Sequence, residues 1–134
     1  MLRNRYGVGE AGPLSTTAGR TVAEEALRSL SGPGVSGLVF FAFPLHPAGK
    51  PAIDRAAHLA KIAIPMLFLQ GAADTLAQLD LLQGVVADLG ERATLRVTPY
   101  ADHSFHAPAK TGRKDLEVLA EILDVAAAWM AAKA

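Results

Sequence analysis

Residues 98–106 read TPYADHSFH and hold two of the chain's four histidines, His103 and His106, within four positions. An imidazole titrates close to neutral pH, so it can take up and return a proton under ordinary conditions. It does this best when a carboxylate accepts its second N–H, fixing tautomer and ring orientation and stabilising the imidazolium. Asp74, the first acid after the apolar run MLFLQG (66–71), is the candidate for that role. A second reading of Asp74 stays open: a negative charge near the start of the following helix is favoured by the helix dipole. Asp102 reads as a turn former ahead of His103, and His106 as a loop residue, since the chemistry needs only one imidazole. His46 and Lys50, in PLHPAGKP (44–51), either line a pocket or contact a substrate carboxylate, or are exposed loop residues. His58 reads as a surface or packing residue. Asp74, Asp102, His103 and His106 lack metal-ligand spacing such as H-x-x-x-H, and no glycine-rich phosphate loop follows a strand. No metal and no cofactor are expected.

The elements that must position these groups follow from hydrophobic periodicity. Val22, Ala26, Leu27 and Leu30 recur at helical spacing over 21–31, with Thr21 and Glu24 at capping-box distance. LVFFAF (38–43) and MLFLQG (66–71) are continuous apolar runs, as expected of strands buried on both faces of a parallel sheet. An Ala-rich stretch over 52–61 predicts a short helix. Residues 72–90 predict a clear helix, with Leu79, Leu82, Val86 and Leu89 on one face, Thr75 and Gln78 as a capping box and Gly90 as the stop. TLRVTPY (94–100) predicts a third strand. Residues 115–132 predict a long helix with Leu116, Leu119, Leu123, Ala126 and Met130 on the buried face. Strands alternating with helices imply right-handed crossovers and a three-layer α/β/α fold around a short parallel sheet of about three strands. Residues 1–20 are Gly-rich and read as an irregular N-terminal segment, followed by one domain over 21–134. In such sheets functional groups collect in the loops beyond the strands' C-terminal ends. Asp74 and His103 follow successive strands and are expected at one rim.

Bulk composition narrows the function classes. The chain's 134 residues are 51% hydrophobic, enough for one domain with a core. Thirteen basic and thirteen acidic residues balance, which implies no basic face for nucleic acid or an anionic membrane. Cysteine is absent, so disulfides and thiolate chemistry are excluded. No apolar run reaches the roughly 20 residues that a membrane span requires. The N-terminal stretch lacks the apolar core of a secretory signal, and a soluble, cytoplasmic protein is the expectation.

Three stretches, GLVFFAFPLHPAGKP, then HLAKIAIPMLFLQGAADTL, then YADHSFH, resemble in order the C-terminal half of a branch of the α/β-hydrolase superfamily. That branch is similar to dienelactone hydrolases and is of KANL/TEX type. The resemblance runs from about Gly37 to Trp129 and implies a serine-type triad with Asp74 as the acid and His103 as the base, matching the superfamily's Ser–acid–His chain order. It implies hydrolysis of a small-molecule ester or similar acyl bond. In the branch the nucleophile turn reads like G-K-S-x-G-G-R. Here GPLSTTAGRT (12–21) puts Thr16 at that position, and shifts of one residue put Ser15 or Thr17 there. A β-branched threonine fits an unusual φ worse than serine, and Leu14 adds bulk where backbone contact is expected. Nothing before Pro13 has the pattern of a strand or of an oxyanion-donating loop, so a truncated hydrolase fold, weak or inactive, is the expectation. The alternative is a non-catalytic pseudoenzyme or interaction module that pairs with a second copy through an open sheet edge.

Overall fold

The computed structural model describes residues 6–9 and 36–133. Among these residues four parallel strands lie in chain order across one sheet: β1 (Tyr6–Gly9), β2 (Gly37–Phe41), β3 (Met66–Gly71) and β4 (Ala93–Thr98). A short 3-10 helix (Asp54–Lys61) joins β2 to β3, helix α1 (Leu79–Leu89) joins β3 to β4, and helix α2 (Asp115–Lys133) follows β4. In-register parallel pairing sets Val39 opposite Leu67 and Leu67 opposite Thr94.

The two central strands are apolar at every position of the runs LVFF and MLFL because both sheet faces are covered. Side chains alternate across a strand. Leu38, Phe40, Met66 and Phe68 therefore point to one face, where they pack with Leu59 of the 3-10 helix and Leu82, Val85 and Leu89 of α1. The Phe40 and Phe68 rings stack at 4.9 Å, and Phe43 meets both edge-on. Val39, Leu67 and Leu69 point to the other face and pack with Val118, Ile122 and Ala126 of α2. Each fully buried large side chain stabilises the fold by roughly 1.5–3 kcal/mol, so two filled faces hold the sheet rigid beneath its loops. This is the expected three-layer α/β/α arrangement.

Four expectations need correction. Residues 6–9, within the segment read as irregular, form β1, which pairs with β2 from Tyr6 opposite Gly37 to Gly9 opposite Phe40, so that among the described residues a fourth strand joins the short parallel sheet. YGVG carries no run of apolar side chains, but ladder hydrogen bonds are made by the backbone, and side-chain periodicity does not report them. Helix α1 begins at Leu79 rather than after Thr75, and its N-cap, Gln78, makes no side-chain capping bond. Strand β4 ends at Thr98, so Pro99 and Tyr100 already belong to the loop. Helix α2 is turned about one residue from the predicted face. Val118, Ile122 and Ala126 are buried, whereas Leu116, Leu119 and Leu123 are exposed. Apolar residues lie nearly all round α2, so the pattern of leucines did not single out the contact face. The predicted helix over 21–31 lies outside the described residues, as do Ser15, Thr16 and Thr17. Among the described residues no helix is long and apolar enough to cross a membrane.

Candidate active site

Because β3 and β4 are parallel neighbours ending at the paired residues Gly71 and Thr98, the loops that follow them leave the sheet at the same rim. Two backbone bonds tie those loops together: Ala72 N–H donates to the Thr98 carbonyl at 3.0 Å and Ala73 N–H to the Ala101 carbonyl at 2.9 Å. This contact requires a glycine at position 71. A Cβ there would lie 2.3 Å from the Ala101 carbonyl oxygen and 2.5 Å from that of Asp102, closer than packed atoms approach.

Asp74 sits at the centre of the joint, with its side chain wholly shielded from solvent. An ionised carboxylate is an acceptor only and is tolerated in such a place when donors surround it. Three do. The His103 ring donates from Nδ1 to Oδ2 at 2.8 Å, Gln70 donates from Nε2 to the same oxygen at 2.6 Å, and Leu76 N–H donates to Oδ1 at 2.8 Å. The last bond is an Asx-type turn that starts the approach to α1. It replaces the reading of Asp74 as a charge at the helix start, since α1 begins five residues later. With Nδ1–H committed to the carboxylate, the basic nitrogen of the neutral ring is Nε2, on a side chain 30% exposed. The pair has the geometry of an oriented general base: a dry anchor on one nitrogen and an accessible lone pair on the other.

The loop that carries His103 is fixed by its own backbone. Asp102 forms the expected turn, its Oδ1 accepting from Ser104 N–H at 2.8 Å and His106 N–H at 3.0 Å. Asp102 N–H donates to the His106 carbonyl and Phe105 N–H to the Asp102 carbonyl. Tyr100 and Phe105, on either side of the turn, have positive φ of 61°. Left-handed geometry costs a non-glycine residue roughly 1–2 kcal/mol, and the buried Phe105 ring, packed with Val118 and Ile122, offsets it. His106 is exposed and bonds outside this pair, with Nδ1 2.8 Å from Asp115 Oδ1. The hydrogen bond to Asp115, with the charges of Asp115 and Asp102 added, raises its pKa above the usual value.

His46 departs from the exposed-loop reading of its sequence. It is buried, at 2% exposure, rather than a surface loop residue. Its Nδ1 lies 2.8 Å from the Pro47 carbonyl, and its Nε2 accepts Gln78 N–H at 2.8 Å. Both nitrogens are engaged within the fold, which leaves them no capacity for a substrate carboxylate. Lys50 is exposed at the end of the same loop. His58 is a packing residue, near the Phe43 ring. Among the described residues no group of three or more His, Asp and Glu side chains converges on a metal position.

Sequence reasoning passed over Gln70. Its signal was present in MLFLQG: a lone amide inside an otherwise apolar, doubly buried strand must be there for a partner. The comparisons agree with the architecture. A family model described as an alpha/beta hydrolase domain matches residues 16–131, which is most of the chain. No curated protein matches it. A parallel sheet with helices on both faces, a carboxylate and an imidazole meeting beyond adjacent strands, and this match together make the chain a member of the alpha/beta hydrolase family.

Proposed function

We propose that this chain is an ester-hydrolysing domain of the dienelactone-hydrolase-like branch, with His103 as general base and Asp74 as the group that orients it. The single observation behind the reading is the 2.8 Å contact from His103 Nδ1 to a carboxylate oxygen that is otherwise sealed from water. A hydroxyl nucleophile would come from residues 15–17, at Thr16 or from the flanking Ser15 or Thr17. That hydroxyl gives its proton to His103 Nε2 as its oxygen bonds the acyl carbon. Asp74 holds the imidazolium that results. His103 then returns the proton to the leaving alkoxide, and an acyl-enzyme remains. Water, deprotonated by the same nitrogen, releases the acid and restores the hydroxyl. Threonine in place of serine, with leucine two positions earlier in the sequence, makes turnover slow. No cofactor enters this scheme, and the substrate is a small ester.

The test is hydrolysis of a short-chain aryl ester by the wild-type protein, His103→Ala and Asp74→Asn. A general base contributes roughly 10²–10⁴-fold, so both variants should fall at least about a hundredfold. Equal rates in wild type and His103→Ala would remove the enzymatic reading and leave the chain as a non-catalytic module.

A further inference from the structure

The proposed chemistry uses Asp74 and His103 but does not account for His46, a buried histidine on a different loop. His46 lies beyond the C-terminal end of β2, in the segment that leaves the sheet after Ala42, a residue held at a φ of 64°. Its ring is used as a structural connector. Nδ1, 2.8 Å from the Pro47 carbonyl, must carry the proton, because a carbonyl only accepts. Nε2 is then a lone pair, and it receives Gln78 N–H from the residue that caps α1. The backbone of the same residue makes a second link, His46 N–H donating to the Leu76 carbonyl at 2.9 Å.

These two bonds grip the segment 76–78 from both ends. The peptide N–H of Leu76, at the N-terminal end of that grip, is one of the three donors on the Asp74 carboxylate. A continuous chain of hydrogen bonds therefore runs from the His46 backbone and ring, through Leu76 and Gln78, to Asp74 and so to His103. The rim loops after β2, β3 and β4 meet in it. Charge-assisted bonds to a buried carboxylate are directional, so fixing the Leu76 amide fixes the plane of the carboxylate presented to the imidazole.

We infer that His46 is a positioning residue for the Asp74–His103 pair: its Nδ1–H tautomer clamps residues 76–78 and thereby holds the Asp74 carboxylate in line with the His103 ring. The inference rests on the proposed function for its catalytic consequence, but not for the clamp itself.

Nuclear magnetic resonance of the histidine rings tests it, on protein labelled with ¹⁵N at histidine. In the wild-type protein the His46 proton must reside on Nδ1, and a ring protonated on Nε2 alone overturns the clamp whatever the variants do. The His103 Nδ1–H, bonded to the carboxylate, should give a downfield resonance protected from water. His46→Leu keeps bulk but offers no acceptor to Gln78. In that variant the resonance should be lost while the amide spectrum stays folded. His46→Gln, which brings a carbonyl oxygen close to the former Nε2 position, should retain it. Ester hydrolysis should follow, with kcat of His46→Leu down at least about tenfold and KM within about twofold. A His46→Leu protein with an unaltered His103 resonance, or a folded His46→Gln protein that loses it as fully as His46→Leu, overturns the inference. If the wild-type protein hydrolyses no ester, the proposed function fails and the ring spectra still decide the clamp. If it hydrolyses esters and His46→Leu leaves spectra and rates unchanged, the clamp fails and the function stands.

Discussion

Replacing Gly71 with alanine adds one methyl group at the joint between the two site loops. Its carbon would lie 2.3 Å from the Ala101 carbonyl oxygen, 2.5 Å from that of Asp102 and 2.7 Å from the Ala101 carbonyl carbon. All three contacts are backbone, so no side chain can rotate aside. To regain ordinary separation the loop must withdraw by about 1 Å. That withdrawal breaks or stretches the 2.9 Å bond from Ala73 N–H to the Ala101 carbonyl and carries His103 away from Asp74, two residues further along. Overpacking of this kind costs about 1–3 kcal/mol, and a lost backbone bond adds about 1 kcal/mol. A total of about 2–4 kcal/mol lowers Tm by roughly 10 °C in a domain of this size. In the proposed hydrolysis, a misplacement of about 1 Å between His103 and Asp74 costs on the order of a hundredfold in rate. The assay is thermal and urea unfolding of Gly71→Ala beside Gly84→Ala, with ester hydrolysis measured on both. Gly84 lies exposed in the interior of α1 with open space where its Cβ would go, so alanine there should stabilise by about 0.5–1 kcal/mol. A Gly71→Ala protein that melts with the wild type would refute the claim that the two loops are in backbone contact through this residue.

Further outcomes follow from single side chains. Gln70→Leu removes the 2.6 Å donor on Asp74 Oδ2 and should destabilise by about 1–2 kcal/mol in urea unfolding. No loss there would mean the amide is incidental. Tyr100 is 66% exposed and held at a φ of 61°, so Tyr100→Gly should stabilise by about 0.5–1 kcal/mol, read from the same curves. His106 has a pKa raised by its hydrogen bond to Asp115, so its contribution to stability is complete below the ordinary histidine value and is lost as pH rises through the raised one. The stability advantage of the wild type over His106→Gln should therefore shrink on going from mildly acidic to alkaline pH. An advantage that grows with pH would contradict the ion pair.

Much of this fold was legible because burial leaves a direct imprint on composition. MLFLQG could only be a strand covered on both sides, and its limits were read to the residue. From there chain order placed Asp74 and His103 at one rim, since parallel neighbours must end at the same edge. What the sequence hid was carried by the backbone or by geometry without periodicity. YGVG joins the sheet through main-chain bonds, which no run of apolar residues announces. The leucines of α2 suggested a face that Val118 and Ile122 occupy instead, because a helix with apolar residues on most sides has no preferred seam. His46 was invisible as a buried connector: flanked by Leu45 and Pro47 in a proline-rich loop, it has no pattern that separates a clamp from a surface imidazole. Its burial comes from the way three loops meet, and that is a property of the assembled rim.

The proposed function requires that His103, oriented by Asp74, activate a hydroxyl of residues 15–17. Trypsin cuts after Arg5 and Arg20, so the peptide 6–20, YGVGEAGPLSTTAGR, contains Ser15, Thr16 and Thr17 and no other hydroxyl of that type. Reaction with a fluorophosphonate followed by mass mapping of that peptide is the direct measurement. The account predicts label on one of those three residues in the wild-type protein and its loss in His103→Ala. An unlabelled peptide, or labelling that persists undiminished without the imidazole, contradicts it.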